Sequence, residues 1–208
     1  MTTLLVIAKE PRPGRVKTRL TPPFSPAQAA ALAEASLADT LDAVAAAPAA
    51  RRVLVLDGEP GPWLPPGFDV VPQCGGGLDE RLADAFAHCS GPALLIGMDT
   101  PQVTPGLLTV DFAGYDAYFG GAEDGGFWAL GLADPDPALL RGVPMSTQET
   151  GARQRQRLVG AGLRVCDLPR LRDVDTADDA AAVAALVPHG RFAALLSRCT
   201  AHSGTDRR

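Results

Sequence analysis

The densest concentration of chemistry-bearing side chains lies between Lys9 and Arg19. Five cations (Lys9, Arg12, Arg15, Lys17, Arg19) and one acid, Glu10, give this stretch a charge of +4 in a chain whose total is -5, so the remaining residues carry -9. The stretch follows the apolar run Leu4-Leu5-Val6-Ile7-Ala8 and holds Pro11, Pro13 and Gly14. A basic Gly/Pro turn in an acidic chain is suited to an anion, and phosphate is the usual one. Gly14 allows close backbone approach, and Arg and Lys supply charge-assisted hydrogen bonds. Such a loop can also be merely solvated. Its position after a first strand favours the ligand, because open α/β sheets bind ligands at the carboxyl ends of their strands. If the loop is extended, Lys17 and Arg19 project to one side and could grip α- and β-phosphate oxygens, with Thr18 facing away. Neither GxxxxGK[ST] nor GxGxxG is present here, which argues against a P-loop ATPase and a nicotinamide enzyme.

Three acidic stretches could supply the complementary charge. Asp99 follows the apolar run Ala93–Gly97, where a carboxylate reads equally as a ligand for Mg²⁺ or Mn²⁺ and as an Asx turn former. Glu123-Asp124-Gly125-Gly126 reads as backbone that approaches a ligand or as a tight hairpin, with Phe127 and Trp128 as pocket wall or core. In Asp173-Val174-Asp175-Thr176-Ala177-Asp178-Asp179, helix capping accounts for Asp178 and Asp179 but less well for Asp173 and Asp175, which precede the cap and share a direction if extended.

The elements that must position these groups alternate. Leu4–Ala8, Arg52–Asp57, Phe68–Pro72, Ala93–Gly97, Asp116–Gly121, Phe127–Leu132 and Leu163–Leu168 read as strands. Helices are expected from Ser25-Pro26 to about Ala47, over Asp79–Cys89, briefly at Thr104-Pro105, over Gln148–Ala161, from the Thr176 cap through Leu186, and over Gly190–Arg198. This alternation predicts a three-layer α/β/α sandwich with a mostly parallel, Rossmann-like sheet. With 208 residues and no repeat or clear linker, one domain over residues 1–199 with a disordered tail over 200–208 is the simplest organisation. A pI near 5.1 argues against a general nucleic-acid binder, and the apolar runs are too short to cross a bilayer. No signal peptide is evident, so a cytoplasmic location is expected. Cys74, Cys89, Cys166 and Cys199 lack metal or disulfide spacing and read as free thiols. His88, His189 and His202 are scattered, and nothing favours a catalytic role for them.

Taken in order, Pro11-x-Pro13-Gly14-x-Val16-Lys17-Thr18-Arg19-Leu20, Leu78-Asp79-Glu80-Arg81-Leu82, Gly97-x-Asp99-x-Pro101, Asp124-Gly125-Gly126 and Asp173-x-Asp175-Thr176-x-x-Asp179 resemble the DUF2064 family of GT-A-like transferases. The wider clan is that of the nucleotide-diphospho-sugar transferase fold, with 2-phospho-lactate and molybdenum-cofactor guanylyltransferases among its members. The resemblance runs from Leu4 to about Leu186. It implies a phosphate loop at Gly14, Arg15, Lys17 and Arg19, and a strand end at Ala8 and Lys9 against the base. A second nucleotide-contacting region would lie near Gln73, Gly77 and Arg81, and an acceptor-side acid at Asp124. Asp99 and Asp175 would hold Mg²⁺ or Mn²⁺. Gly121 stands where relatives often carry Pro, and Phe127 where Tyr is frequent.

The expected activity is therefore metal-dependent transfer from a nucleotide donor. Nucleotidyl transfer from an NTP to a small phosphorylated or hydroxyl acceptor, with pyrophosphate release, is favoured by the strongly basic loop. Glycosyl transfer from a sugar nucleotide, with Asp124 or Glu123 as base, is the alternative, and a non-catalytic nucleotide-binding module is the reading of another class. The partners are thus a nucleotide and a small molecule, with neither nucleic acid nor membrane. The chain would act as a monomer or homodimer.

Overall fold

The computed structural model describes residues 1–203. Seven strands form one sheet: β1 (Thr3–Lys9), β2 (Arg51–Asp57), β3 (Asp69–Pro72), β4 (Ala93–Gly97), β5 (Ala117–Ala122), β6 (Phe127–Leu132) and β7 (Val165–Leu171). The helices are α1 (Pro26–Ala46), α2 (Leu78–Ala87), α3 (Thr150–Gly160), α4 (Ala177–Leu186) and α5 (Arg191–Ser203). The strand order is β3-β2-β1-β4-β6-β5-β7, and β6 alone runs antiparallel to its neighbours β4 and β5.

That single reversal decides where chemistry can gather. Since β5 lies antiparallel to β6, and β6 to β4, β5 and β7 point the same way as β1, β2 and β4. The segments leaving β1, β4, β5 and β7 all emerge on one edge of the sheet. These are the basic loop, Met98-Asp99, Glu123-Asp124 and Arg172–Asp175.

Side chains alternate across the sheet. Leu4, Val6, Leu54, Leu56, Leu94 and Ile96 pack on Leu37, Leu41 and Val44 of α1. Leu5, Val53, Val55, Leu95 and Leu130 face Leu82 and Phe86 of α2 and Leu158 of α3. Outside α1 a further cluster joins it to α4 and α5 through Leu32, Val183 and Phe192, and it includes Leu20 and Val174 from the functional edge. Helix α1 begins with a reciprocal capping box, Ser25 accepting from the Gln28 amide and Gln28 Oε1 from the Ser25 amide. Thr176 and Asp179 do the same for α4.

The three-layer, mostly parallel architecture matches the expectation, and several boundaries move. Residues 104–107 form a turn rather than a helix, and Gly106 inside it is a poor helix former. Strand β7 continues past Leu168 through Pro169 to Leu171; as an edge strand it tolerates a residue without an N–H. Helix α5 extends beyond Arg198 to Ser203, so Thr200–Ser203 are helical; the rest of the expected tail lies outside the described residues. Cys74, Cys89 and Cys166 are free thiols. Among the described residues, no helix is long and apolar enough to cross a membrane.

Candidate active site

The basic loop is anchored at Val16, which is buried against the α1 side of the sheet, and at Leu20, which is fully buried beneath α4 and α5. Between these anchors the chain is not extended. Lys17 adopts a left-handed conformation (φ 48°, ψ 40°), and Thr18–Leu20 form one turn of 3-10 helix. The expected side-by-side projection of Lys17 and Arg19 from an extended loop is therefore corrected. The two side chains still converge, but on an acid. Lys17 Nζ lies 2.9 Å from Asp99 Oδ2 and 3.0 Å from Asp175 Oδ1, while Arg19 Nη1 donates to Asp175 Oδ2 at 3.2 Å. Burial separates their roles: the Lys17 side chain is 8% exposed and that of Arg19 76%. Burial alone would lower the Lys17 pKa, but Asp99 and Asp175 outweigh it and hold the ammonium above its ordinary value.

Two backbone and side-chain ties bring the acids together. The Val174 amide donates to the Asp99 carbonyl at 3.0 Å, and Gln102 Nε2 to the Arg172 carbonyl. The segment after β4 is thus fastened to the segment after β7, and Val174 buries itself in the α1–α4–α5 cluster between two outward-facing aspartates.

On its other side Asp175 meets Asp124 and Asp173. One carboxylate oxygen from each lies within 4.8 Å of the others. These three, with Glu123, Arg172 and Asp179, line a cleft of about 270 Å³. Arg172 is its one cation and is drawn to Glu123 at 2.6 Å. Asp124 Oδ1 also accepts from the Gly126 amide at 2.7 Å, within the hairpin between β5 and β6 that was the alternative reading of this stretch. Asp173 was not among the expected site residues. Its sequence signals were its place before the α4 cap, its two-residue offset from Asp175 and its position in the Asp173-x-Asp175-Thr176 motif.

Desolvation, then the neighbouring Asp124 and Asp175 carboxylates, push the Asp173 pKa from 3.8 up to about 6. The sign follows from linkage. The unfolded carboxyl loses its proton near pH 4 and the folded one near 6, so stability falls between those values and stays lowered above them. Asp173→Asn is expected to stabilise the metal-free protein by about 1 kcal/mol at pH 8, after allowance for solvent screening, and not at pH 3. Urea unfolding in EDTA at the two pH values measures this; a gain that is equal at both excludes the titration as its cause.

A second cleft, of about 310 Å³, opens beside β1 and is lined by Lys9, Glu10, Arg12, Arg15, Val16, Asp57 and Gly58. Lys9 and Arg15, both expected at the nucleotide, are on its wall, and Gly14 (φ 76°) makes the turn. Arg12 was missed as a lining cation, and it is held by Glu10 at 2.6 Å. Gln73 and Arg81 form a separate network at the strand ends. Gln73 Nε2 donates to the carbonyls of Ala8 (2.7 Å) and Val55 (3.2 Å), and Arg81 Nη1 to Gln73 Oε1 and Asp57 Oδ2, both at 3.2 Å. The Gln73 amide is thereby committed to the sheet edge near Ala8.

The Gly pair after Asp124 serves the chain itself. Gly125 (φ 94°) packs on the Gln148 backbone, and its carbonyl accepts from the Gly151 amide at 2.8 Å, docking the start of α3. Trp128 is core, its indole N–H donating to the Pro169 carbonyl, and Phe127 is partly buried against Phe119.

The donor set suits a hard divalent cation. Asp99 and Asp175 already hold one positive group between them, the Lys17 ammonium, which stands where a shared cation would lie, and every carboxylate nearby offers oxygen.

This sheet order and cleft define the α/β fold of nucleotide-diphospho-sugar transferases. Over 99% of this chain and 98% of its own, a provisionally assigned nucleotide-diphospho-sugar transferase from Desulfovibrio desulfuricans G20 superposes with a TM-score of 0.86 at 26% identity. CMP:2-keto-3-deoxy-manno-octonic acid synthetase complexed with CTP shares the fold at 12% identity (TM-score 0.56, 90% of this chain, 99% of that one). So does Rv0371C of Mycobacterium tuberculosis H37Rv in complex with manganese, at 22% identity (TM-score 0.52, 88% and 96%). No curated protein matches. Residues 31–147 match the profile of DUF2064, described as uncharacterized proteins conserved in bacteria, and the chain belongs to that family.

Proposed function

We propose that this protein is a divalent-cation-dependent nucleotidyltransferase of the cytoplasm, moving a nucleoside monophosphate from an NTP to a hydroxyl of a small acceptor. The observation that carries the reading is the convergence of Asp99 and Asp175 on one cation position beside a cleft lined by Lys9, Arg12 and Arg15. In this reading Lys9, Gly14 and Arg15 cradle the donor, and Lys17 and Arg19 neutralise its phosphates. Gln73 and Arg81 fix the strand end at Ala8 against which the base lies. Asp99 and Asp175 would hold Mg²⁺ or Mn²⁺, which would supply charge neutralisation at the phosphates. The acceptor oxygen attacks the α-phosphorus, the bond to the β-phosphate's bridging oxygen breaks, and pyrophosphate leaves. The acceptor proton passes to Asp124. Positioning and charge account for most of such catalysis, in keeping with a site built of acids and bases without His or Cys.

The acid-lined cleft also chooses between acceptors. Glu123, Asp124, Asp173, Asp175 and Asp179 face a single, already paired arginine, a wall that repels a phosphorylated acceptor and accommodates a neutral hydroxyl. Glycosyl transfer is the second reading. It is favoured by the class of the Desulfovibrio relative, and it would use Asp124 as base on the acceptor hydroxyl.

Incubation with each of the four NTPs or a panel of sugar nucleotides, with and without Mg²⁺, separates the readings. Metal-dependent pyrophosphate release supports nucleotidyl transfer. Turnover of sugar nucleotides alone, releasing nucleoside diphosphate, replaces it with glycosyl transfer. Metal-independent nucleotide binding without turnover indicates a non-catalytic module.

A further inference from the structure

Lys17 is the most deeply buried charge of the candidate site, and phosphate neutralisation alone does not explain where it lies. Its ammonium is seated between Asp99 and Asp175 at 2.9 and 3.0 Å, the same two carboxylates that the proposed function gives to the metal. Two cations cannot occupy one seat: at such separations like charges repel strongly even in a partly screened medium. At the seat itself Asp99 and Asp175 bring two negative charges and Lys17 and Arg19 two positive ones, with Asp124 and Asp173 adding theirs on the far side of Asp175. A bare divalent cation approaching this pair of carboxylates meets acids that are already neutralised.

We propose that Lys17 is a placeholder cation: it holds Asp99 and Asp175 until a metal-bearing polyphosphate arrives, then exchanges its carboxylate partners for the phosphates. The proposal rests on the metal reading of Asp99 and Asp175. It adds that metal and donor enter together, since the donor's anion is what draws Lys17 off the metal's seat.

Residue type and backbone both fit this exchange. The chain has seventeen arginines and two lysines, Lys9 and Lys17, and lysine stands at the shared seat. A compact ammonium on a flexible stem can take a metal's place between two carboxylates and then leave, whereas a planar guanidinium would favour a fixed bidentate pair. The Lys17 backbone is left-handed, a strained conformation for a residue other than glycine. Three residues before it, Gly14 turns at φ 76° with no atom within 4 Å of where a Cβ would project, so the turn has room to move. Arg19, mostly exposed, is free to follow.

The test uses the nucleotide-free protein and Mn²⁺ alone, free Mn²⁺ being read by electron paramagnetic resonance. Lys17→Gln, which keeps a hydrogen-bond donor and removes the charge, is expected to bind Mn²⁺ roughly 5- to 150-fold more tightly than wild type, the range of ordinary site–site coupling. Lys17→Gln/Asp99→Asn is expected to lose that gain. Equal or weaker binding by Lys17→Gln, with Asp99→Asn still abolishing what binding there is, overturns the placeholder and leaves the metal reading standing. Mn²⁺ binding that is indifferent to Asp99→Asn overturns both. A measurement on the unmutated chain guards against a variant that fails to fold. With ¹⁵N-labelled lysine, wild type gives two Nζ signals, assigned through Lys9→Arg. Mg²⁺ with tripolyphosphate is expected to shift the Lys17 signal, and a Lys17 signal that stays in place overturns the proposal.

Discussion

Asp99→Ala is expected to abolish metal-dependent turnover, with a loss of about 10²–10³-fold or more in rate, while the protein stays folded. The two halves of this expectation have separate physical grounds. Loss of rate follows because Asp99 is one of the two carboxylates converging on the shared cation position, and its removal leaves only Asp175 of that pair. Retention of the fold follows because the Asp99 side chain is 38% exposed and the tie that fastens its segment to the Asp175 segment is made by its backbone carbonyl, which the substitution spares. Lys17 also keeps Asp175, so no buried charge is stranded. Thermal unfolding and turnover with and without Mn²⁺ check both halves. Full Mn²⁺-dependent activity in Asp99→Ala removes Asp99 from the site.

Gly125→Ala is expected to cost about 3 kcal/mol or more, lowering the melting temperature by roughly 6–12 °C. A Cβ there would lie 2.1 Å from the Gln148 carbonyl oxygen, and the backbone sits at φ 94°, where a side chain is strained in any case. The obstacle is backbone, so no rotamer change relieves it. Relief requires the Asp124 turn to part from the start of α3, which breaks the Gly151–Gly125 hydrogen bond and moves Asp124 away from Asp173 and Asp175. Stability and activity are therefore expected to fall together. Gly142→Ala is the control: its φ is 75° and nothing lies within 4 Å of the added carbon, so only the conformational cost, about 1 kcal/mol, remains. Equal melting temperatures for the two variants would show that the Gln148 contact carries no weight.

Much of the fold was written locally. Ala93–Gly97 and Phe127–Leu132 match strands β4 and β6 to the residue, because short apolar runs between turn formers leave few alternatives. The Ser25 and Thr176 caps marked the starts of α1 and α4 for the same local reason. The turn at 104–107 and the 3-10 turn at Thr18–Leu20 were misjudged, since Pro/Gly-rich segments take their shape from what they pack against, here Leu20 beneath α4 and α5.

The site was legible in part. Charge bias exposed the loop, and motif order singled out Asp99, Asp124 and Asp175, three acids that the structure gathers around Lys17 and Asp173. Glycine pairing suggested a ligand approach or a sharp turn at Gly125-Gly126, and Gly125 proves to admit the Gln148 backbone.

By itself the sequence determined which residue types were present to handle phosphate and a hard cation, and which segments would be strand or helix, because those properties depend on side-chain chemistry and near neighbours. Tertiary structure alone decided that Lys17 lies between Asp99 and Asp175, and that Asp173 is a half-buried neighbour of Asp124. Those pairings join residues 49 to 158 positions apart, and they follow from the reversed β6, which sends the ends of β1, β4, β5 and β7 to the same edge of the sheet.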